Sequence, residues 1–90
     1  MKFEWDFKKA NSNLLKHHVS FEEAATALGD PMAATGSDPD HSIVEDRYVT
    51  FGISKKGRLL VVSHTEDGDV IRIISARIAN KGERKIYEES

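Results

Sequence analysis

A chain of 90 residues, 39% hydrophobic and 31% charged, can bury one modest core but not two, and it lies outside the composition range of disordered chains. Having no cysteine, it can hold no disulfide, thiolate nucleophile or cysteine metal site. Its net charge of −2 argues against a wholesale basic grip on nucleic acid, yet the halves differ: residues 1–45 carry 4 Lys+Arg against 8 Asp+Glu, and residues 46–90 carry 9 against 7. We therefore expect a single domain over residues 1–90, with any local positive potential along its second half.

Phe3 and Trp5 alternate with Lys2 and Glu4, which predicts a short strand too small to stand alone and placed at a sheet edge. The stretch MKFEWDFKKANSN has no apolar core of signal-peptide length, and no apolar run approaches a membrane span, so a cytoplasmic protein is expected, with no membrane partner. Asp6 is placed to cap a first helix from Phe7 to His17, whose apolar residues Phe7, Ala10, Leu14 and Leu15 recur at helical spacing. Ser20 and Glu23 form a capping-box signature for a second helix running to Leu28. Val19 and Ala24 are a staple pair, and Gly29 is a candidate left-handed terminator.

Residues 29–42, GDPMAATGSDPDHS, read as one long irregular connection. Three strands follow, at Glu45–Ile53, Arg58–Thr65 and Asp69–Arg77, joined by turns at Ser54–Gly57 and Glu66–Asp69. Their short links make an antiparallel meander. The run Leu59–Val62 predicts a central strand buried on both faces. A last helix, Ala79–Glu89, is weakened by Gly82. Two amphipathic helices ahead of a meander must bury their apolar stripes on one sheet face, so the fold class is an α+β two-layer sandwich.

The four histidines lack HExxH or any other metal-ligand spacing. No glycine-rich phosphate loop suggests a nucleotide cofactor, and Ser42 and Ser75 have no G-x-S-x-G context. No cofactor or metal is expected. The remaining chemistry is metal-free acid–base work on a phosphodiester. Cleaving RNA this way needs a base for the 2′-OH proton, cations for the charge gathering on phosphorus, and an acid for the 5′-oxygen. Residue types for each are present: Glu45 or His41 as base, Arg47, Arg72, Arg77 and Lys81 as cations, and Tyr87 or a histidine as acid. Each also has an ordinary structural role. A strand arginine pairs with a cross-strand acid, Lys16 and His17 complement a helix C-terminus, and Tyr87, four residues after Glu83, packs with its hydroxyl bonded. The stretch Val70–Tyr87, where Arg72, Arg77, Lys81, Glu83, Arg84 and Tyr87 concentrate, reads either as a phosphate-handling site or as a protein-docking surface.

The segments FEWD (3–6), KHHVSFEEA (16–24), DP (30–31), HSIVEDRY (41–48), GRLLVV (57–62) and RIISARIANKGERKIYE (72–88), in order along nearly the whole chain, resemble the BrnT family of bacterial type II toxins. The resemblance implies a RelE-like fold, ribonuclease activity that blocks translation, and neutralisation by a BrnA-like antitoxin that binds operator DNA through a ribbon-helix-helix part. The family's characteristic residues fall on Lys16, His17, His41, Glu45, Arg47, Arg72, Ser75, Arg77, Glu83 and Tyr87. On this reading Arg72, Arg77, Glu45, His17 and Tyr87 are catalytic, and Lys16, Arg47, Lys81 and Arg84 bind RNA. The alternative is a non-catalytic module that docks a ribbon-helix-helix regulator. His18 stands where the family commonly has Gly, which implies a strained turn between the first two helices.

Overall fold

The computed structural model describes residues 1–38 and 46–89. Its elements are β1 (Lys2–Glu4), α1 (Phe7–His17), α2 (Phe21–Leu28), β2 (Ala34–Ser37), β3 (Arg47–Ile53), β4 (Leu59–Asp67), β5 (Val70–Ile78) and α3 (Lys81–Glu89). The strands form one sheet in the order β1-β5-β4-β3-β2. β1 runs parallel to β5 at one edge, while β2 to β5 pair antiparallel in sequence. Strand β2 corrects the expectation of an unbroken irregular stretch. ATGS has little intrinsic strand preference, and it becomes a strand by occupying the outer edge of β3, from Ala34 opposite Phe51 to Ser37 opposite Tyr48.

Helices α1 and α2 cover one sheet face. The core between them is Val19, Phe21, Ala24 and Ala27 against Leu60, Val62, Ile73 and Ala76, with Phe3 and Trp5 packed at its border. Leu59 to Val62 are all buried, so β4 is central and covered on both faces, as its apolar run predicts. Gly52 is needed where β3 passes beneath α2, since a Cβ there would lie 2.3 Å from the Ala27 carbonyl oxygen.

The caps are largely local and legible. Asp6 accepts from the Lys8 and Lys9 amides at 2.8 and 3.1 Å, and Ser20 Oγ accepts from the Glu23 amide at 3.0 Å. The reciprocal half of the capping box is absent, because the Glu23 carboxylate turns inward to Arg58 and to Ser54 Oγ. Arg58 also donates to the His18 carbonyl at 2.9 Å. His18 has φ +59°, the left-handed conformation its glycine-like position implies, and Arg58 pins it there. Gly29 is not left-handed (φ −91°); its amide closes the helix on Thr26 O at 3.1 Å.

The buried side of α1 also differs from its apolar stripe. Phe7 and Leu15 are 80% and 82% exposed, whereas Asn13 is 6% exposed. The cause lies in β5. β1 pairs with Val70–Arg72, and among the described residues no strand covers the rest of that edge. Asn13 takes the missing partner's place. Its Oδ1 accepts from the Ala76 amide at 3.1 Å, and its Nδ2 donates to the Ala76 and Val19 carbonyls at 2.8 and 2.9 Å. Burying α1 on this polar contact rotates its larger apolar residues outward.

Candidate functional site

The site residues of β5 reach one face through a β-bulge. Arg72 and Arg77 are five apart, an odd spacing that would place them on opposite faces of a regular strand. Ser63 and His64 are consecutive on β4 but pair with Ser75 and Ile73, which leaves Ile74 as the extra residue. Past it the alternation resets. Ile73 and Ala76 both enter the core, and Arg72, Ser75 and Arg77 all lie on the opposite face.

Cross-strand register then orders this second face into rows. One row runs Arg47, Thr65, Arg72, Glu4; the next Val49, Ser63, Ser75; the third Phe51, Val61, Arg77. The row nearest the N-terminus of β3 is polar and cationic, whereas the row that α3 approaches sets Arg77 beside the apolar Phe51 and Val61. Arg47 and Arg72 stand two strands apart, roughly 10 Å between backbones. Beside the apolar end, Ile86 of α3, with Ala34, Val49 and Phe51, lines an open cleft of about 330 Å³.

Arg77 is held from α3. Its Nη1 and Nη2 donate to Glu83 Oε1 and Oε2, both at 2.7 Å, in a two-point fork. The pair holds the Glu83 carboxyl below its ordinary pKa and raises that of Arg77, despite opposing desolvation. Glu83 Oε1 also accepts from the Asn80 amide at 3.0 Å, and Asn80 Oδ1 accepts from the Glu83 amide at 2.9 Å. Asn80 is thus the cap that starts α3 at Lys81 rather than Ala79, and the helix start and the Arg77 contact share one carboxylate.

Tyr87 faces elsewhere. Its hydroxyl donates to Asp30 Oδ2 at 2.7 Å, across from the α2–β2 connection. Asp30 also accepts from the Ile53 and Met32 amides, at 2.8 and 2.9 Å. These donors, Ile53 first, hold the Asp30 carboxyl below its usual pKa, and the bond to Asp30 raises that of the Tyr87 phenol. Arg72 Nη1 lies 3.4 Å from Glu4 Oε1 in an exposed pair.

Lys16 and His17, at the end of α1, line a cleft against Ile74 and Ser75 of β5. Ser75 belongs both to this cleft and to the row between Arg72 and Arg77. Lys81 and Arg84 are exposed on α3. Glu45 and His41 lie outside the described residues. The structure thus gathers Arg47, Arg72, Ser75 and Arg77 on one face, sets Lys16 and His17 at its β5 edge, and takes Tyr87 to Asp30. Sequence reasoning missed Asp30, whose role depends on a contact 57 residues away. Among the described residues, no three His, Cys, Asp or Glu side chains group as a metal site would require, and no helix is long and apolar enough to cross a membrane.

Fold and face together define a small mixed α+β protein, with three helices and a five-stranded sheet among the described residues and arginines on the sheet's second face. The same fold occurs in the 1.1 Å crystal structure of the Brucella abortus ribonuclease toxin BrnT. The match has a TM-score of 0.70 and 24% identity, and covers 90% of this chain and 99% of that one. No curated protein matches the sequence. The family model described as "Ribonuclease toxin, BrnT, of type II toxin-antitoxin system" matches residues 5–83, and the chain belongs to that family.

Proposed function

We propose that this chain is a metal-independent endoribonuclease toxin that arrests translation by cutting RNA and is neutralised by a BrnA-like antitoxin. The observation that carries this reading is the β5 bulge, which turns Arg72 and Arg77 to one face with Ser75 between them. Two guanidinium groups spaced along a strand suit a phosphodiester in attack geometry, because each offers a planar donor fork and keeps its charge at any working pH. Their task is to stabilise the charge that gathers on the non-bridging oxygens as the 2′-oxygen attacks.

Arg77 presents only part of its fork to solvent, since Glu83 takes one donor from each terminal nitrogen. Of its five N–H groups three remain for phosphate. Glu83 is then a positioning residue that orients the guanidinium. Arg47, Lys16, Lys81 and Arg84 steer the RNA backbone. Proton transfer falls to His17, Glu45 and Tyr87, with Tyr87 acting only after its bond to Asp30 is released.

The test is expression of Arg77 variants with and without the antitoxin, alongside cleavage by purified protein in EDTA. Arg77→Ala abolishes growth arrest and cleavage; Arg77→Lys, which keeps the charge and loses the fork, falls roughly 10²–10³-fold. Circular dichroism checks that both remain folded. Full toxicity of Arg77→Ala sinks the assignment of that residue, and cleavage that requires magnesium sinks the metal-free mechanism. The second reading, a non-catalytic module that docks a ribbon-helix-helix regulator, has one observation in its favour: Arg72 and Arg77 already hold carboxylate partners within the chain. It predicts no RNA cleavage in EDTA or magnesium and no growth arrest.

A further inference from the structure

The cleft at the β5 edge extends beyond Lys16 and His17. It has a volume of about 290 Å³, and Lys9 and Ser12 line it as well. Positions 9, 12 and 16 share one stripe of α1, so the helix presents ammonium, hydroxyl and ammonium in succession along the edge that β1 leaves uncovered. Asn13 forms part of the wall, but both its amide atoms are engaged with Val19 and Ala76. The other polar residues lining the cleft are Lys9, Ser12, Lys16, His17 and Ser75.

Three features mark this cleft as an anion site. Among the described residues, no carboxylate lines it. Among the described residues, neither Lys9 nor Lys16 forms an ion pair, whereas Arg58, Arg72 and Arg77 are each matched to a glutamate. Residues 1–45 hold only 4 cationic side chains, and two of them are placed here. The helix dipole accounts for Lys16 and His17 in the last turn of α1 but not for Lys9, whose charge sits near the positive end of the helix.

We infer that this cleft is a phosphate subsite for the backbone of single-stranded RNA, with Lys9 and Ser12 as RNA-binding residues beside Lys16 and His17. The inference rests on the ribonuclease reading. Ser75 joins the cleft to the arginine face, so one strand of RNA crosses the edge of β5 from Arg72 and Arg77 and lays a neighbouring phosphate against α1. Lysines grip phosphate as point charges, and the subsite adds affinity without base selectivity. An acidic peptide would also meet the lysines, but the hydroxyls and the continuity with the arginines favour the phosphate backbone.

The probe is a cleavage-resistant, fully 2′-O-methylated single-stranded oligonucleotide, with its affinity for the full-length protein measured across a salt series. Replacing Lys9 by Ala makes the log K against log salt slope shallower by about 0.7, and Lys9/Lys16→Ala by about 1.4, equally for unrelated sequences. Lys9→Arg restores the slope. Lys9 is exposed and pairs with no acid among the described residues, so the Lys9→Ala and Lys9→Arg proteins melt close to the wild type. A Lys9→Glu protein with wild-type affinity and slope overturns the subsite while leaving the ribonuclease reading intact. That reading fails separately, if wild-type protein cleaves no RNA. A Lys9→Glu protein that keeps RNA affinity and loses its antitoxin assigns the cleft to a protein partner and also overturns the proposal.

Discussion

His64 is 1% exposed, its Nε2 lies 2.7 Å from Thr50 Oγ1, and its ring stacks on Tyr48 at 5.9 Å. Its Nδ1 is buried with no hydrogen-bond partner among the described residues. Burial holds its pKa below the ordinary 6.5, against a weaker opposing pull from the Glu66 charge. The unfolded chain therefore binds a proton at this site before the folded one does. Stability is at its highest above 6.5 and falls as pH drops from there through the folded pKa. Glu23, Asp30 and Glu83 all have lowered pKa values, so their contributions are intact above the ordinary carboxylate range and are lost as pH falls from that range through their folded values. Thermal melts between pH 7 and 5 should show a falling midpoint in the wild type and a flatter profile in His64→Gln. A parallel decline in both proteins would assign the pH dependence elsewhere.

At the scale of elements, α1 and β5 are joined by polar contacts that the apolar pattern gives no hint of. Asn13 supplies both the donor and the acceptor that a neighbouring strand would otherwise give to Ala76. Asn13→Ala leaves buried backbone groups without partners and lowers unfolding free energy by about 2–4 kcal/mol, read from urea denaturation. Hydrogen exchange at the Ala76 amide should speed up beyond that global change. A loss under about 0.5 kcal/mol would mean water replaces the side chain. The extents of α1, α2 and the meander strands were legible because caps, turns and periodicity are local. The face of α1 was legible only in part: of the stripe Phe7, Ala10, Leu14 and Leu15, Ala10 packs against the core, while the need of β5 for an edge partner buries Asn13 and leaves the other three exposed. β2 escaped for a related reason: Ala34–Ser37 is a strand only because β3 lies beside it.

Across the whole molecule, stability is unevenly spread. The two helices on the core face bury Phe21, Ala24 and Ala27 of α2 and Asn13 of α1, whereas α3 has no buried residue. It is fastened by Arg77–Glu83 near its start and Tyr87–Asp30 near its end, with Ile86 over the apolar cleft. Segments with few buried contacts open at low free energy. Amides of α3 should therefore exchange sooner than those of α2 and β4. Tyr87→Phe should lower the protection of α3 and leave the global urea midpoint nearly unchanged. Equal protection of α3 and β4 would show that the helix unfolds only with the core.

By itself the sequence determined the fold class, the edge position of β1, the double burial of Leu59–Val62, the caps at Asp6 and Ser20, and the residue types gathered in Val70–Tyr87. These follow from spacing and composition within a few residues. Tertiary structure alone decided that Arg72 and Arg77 share a face, because an odd spacing becomes an even one only when Ile74 bulges out of register with β4. It also decided that Arg77 is gripped by Glu83, that Tyr87 bonds to Asp30, and that Lys9 and Lys16 of α1 line a cleft beside β5. Such contacts depend on which elements meet, and periodicity within one element carries no record of its neighbours.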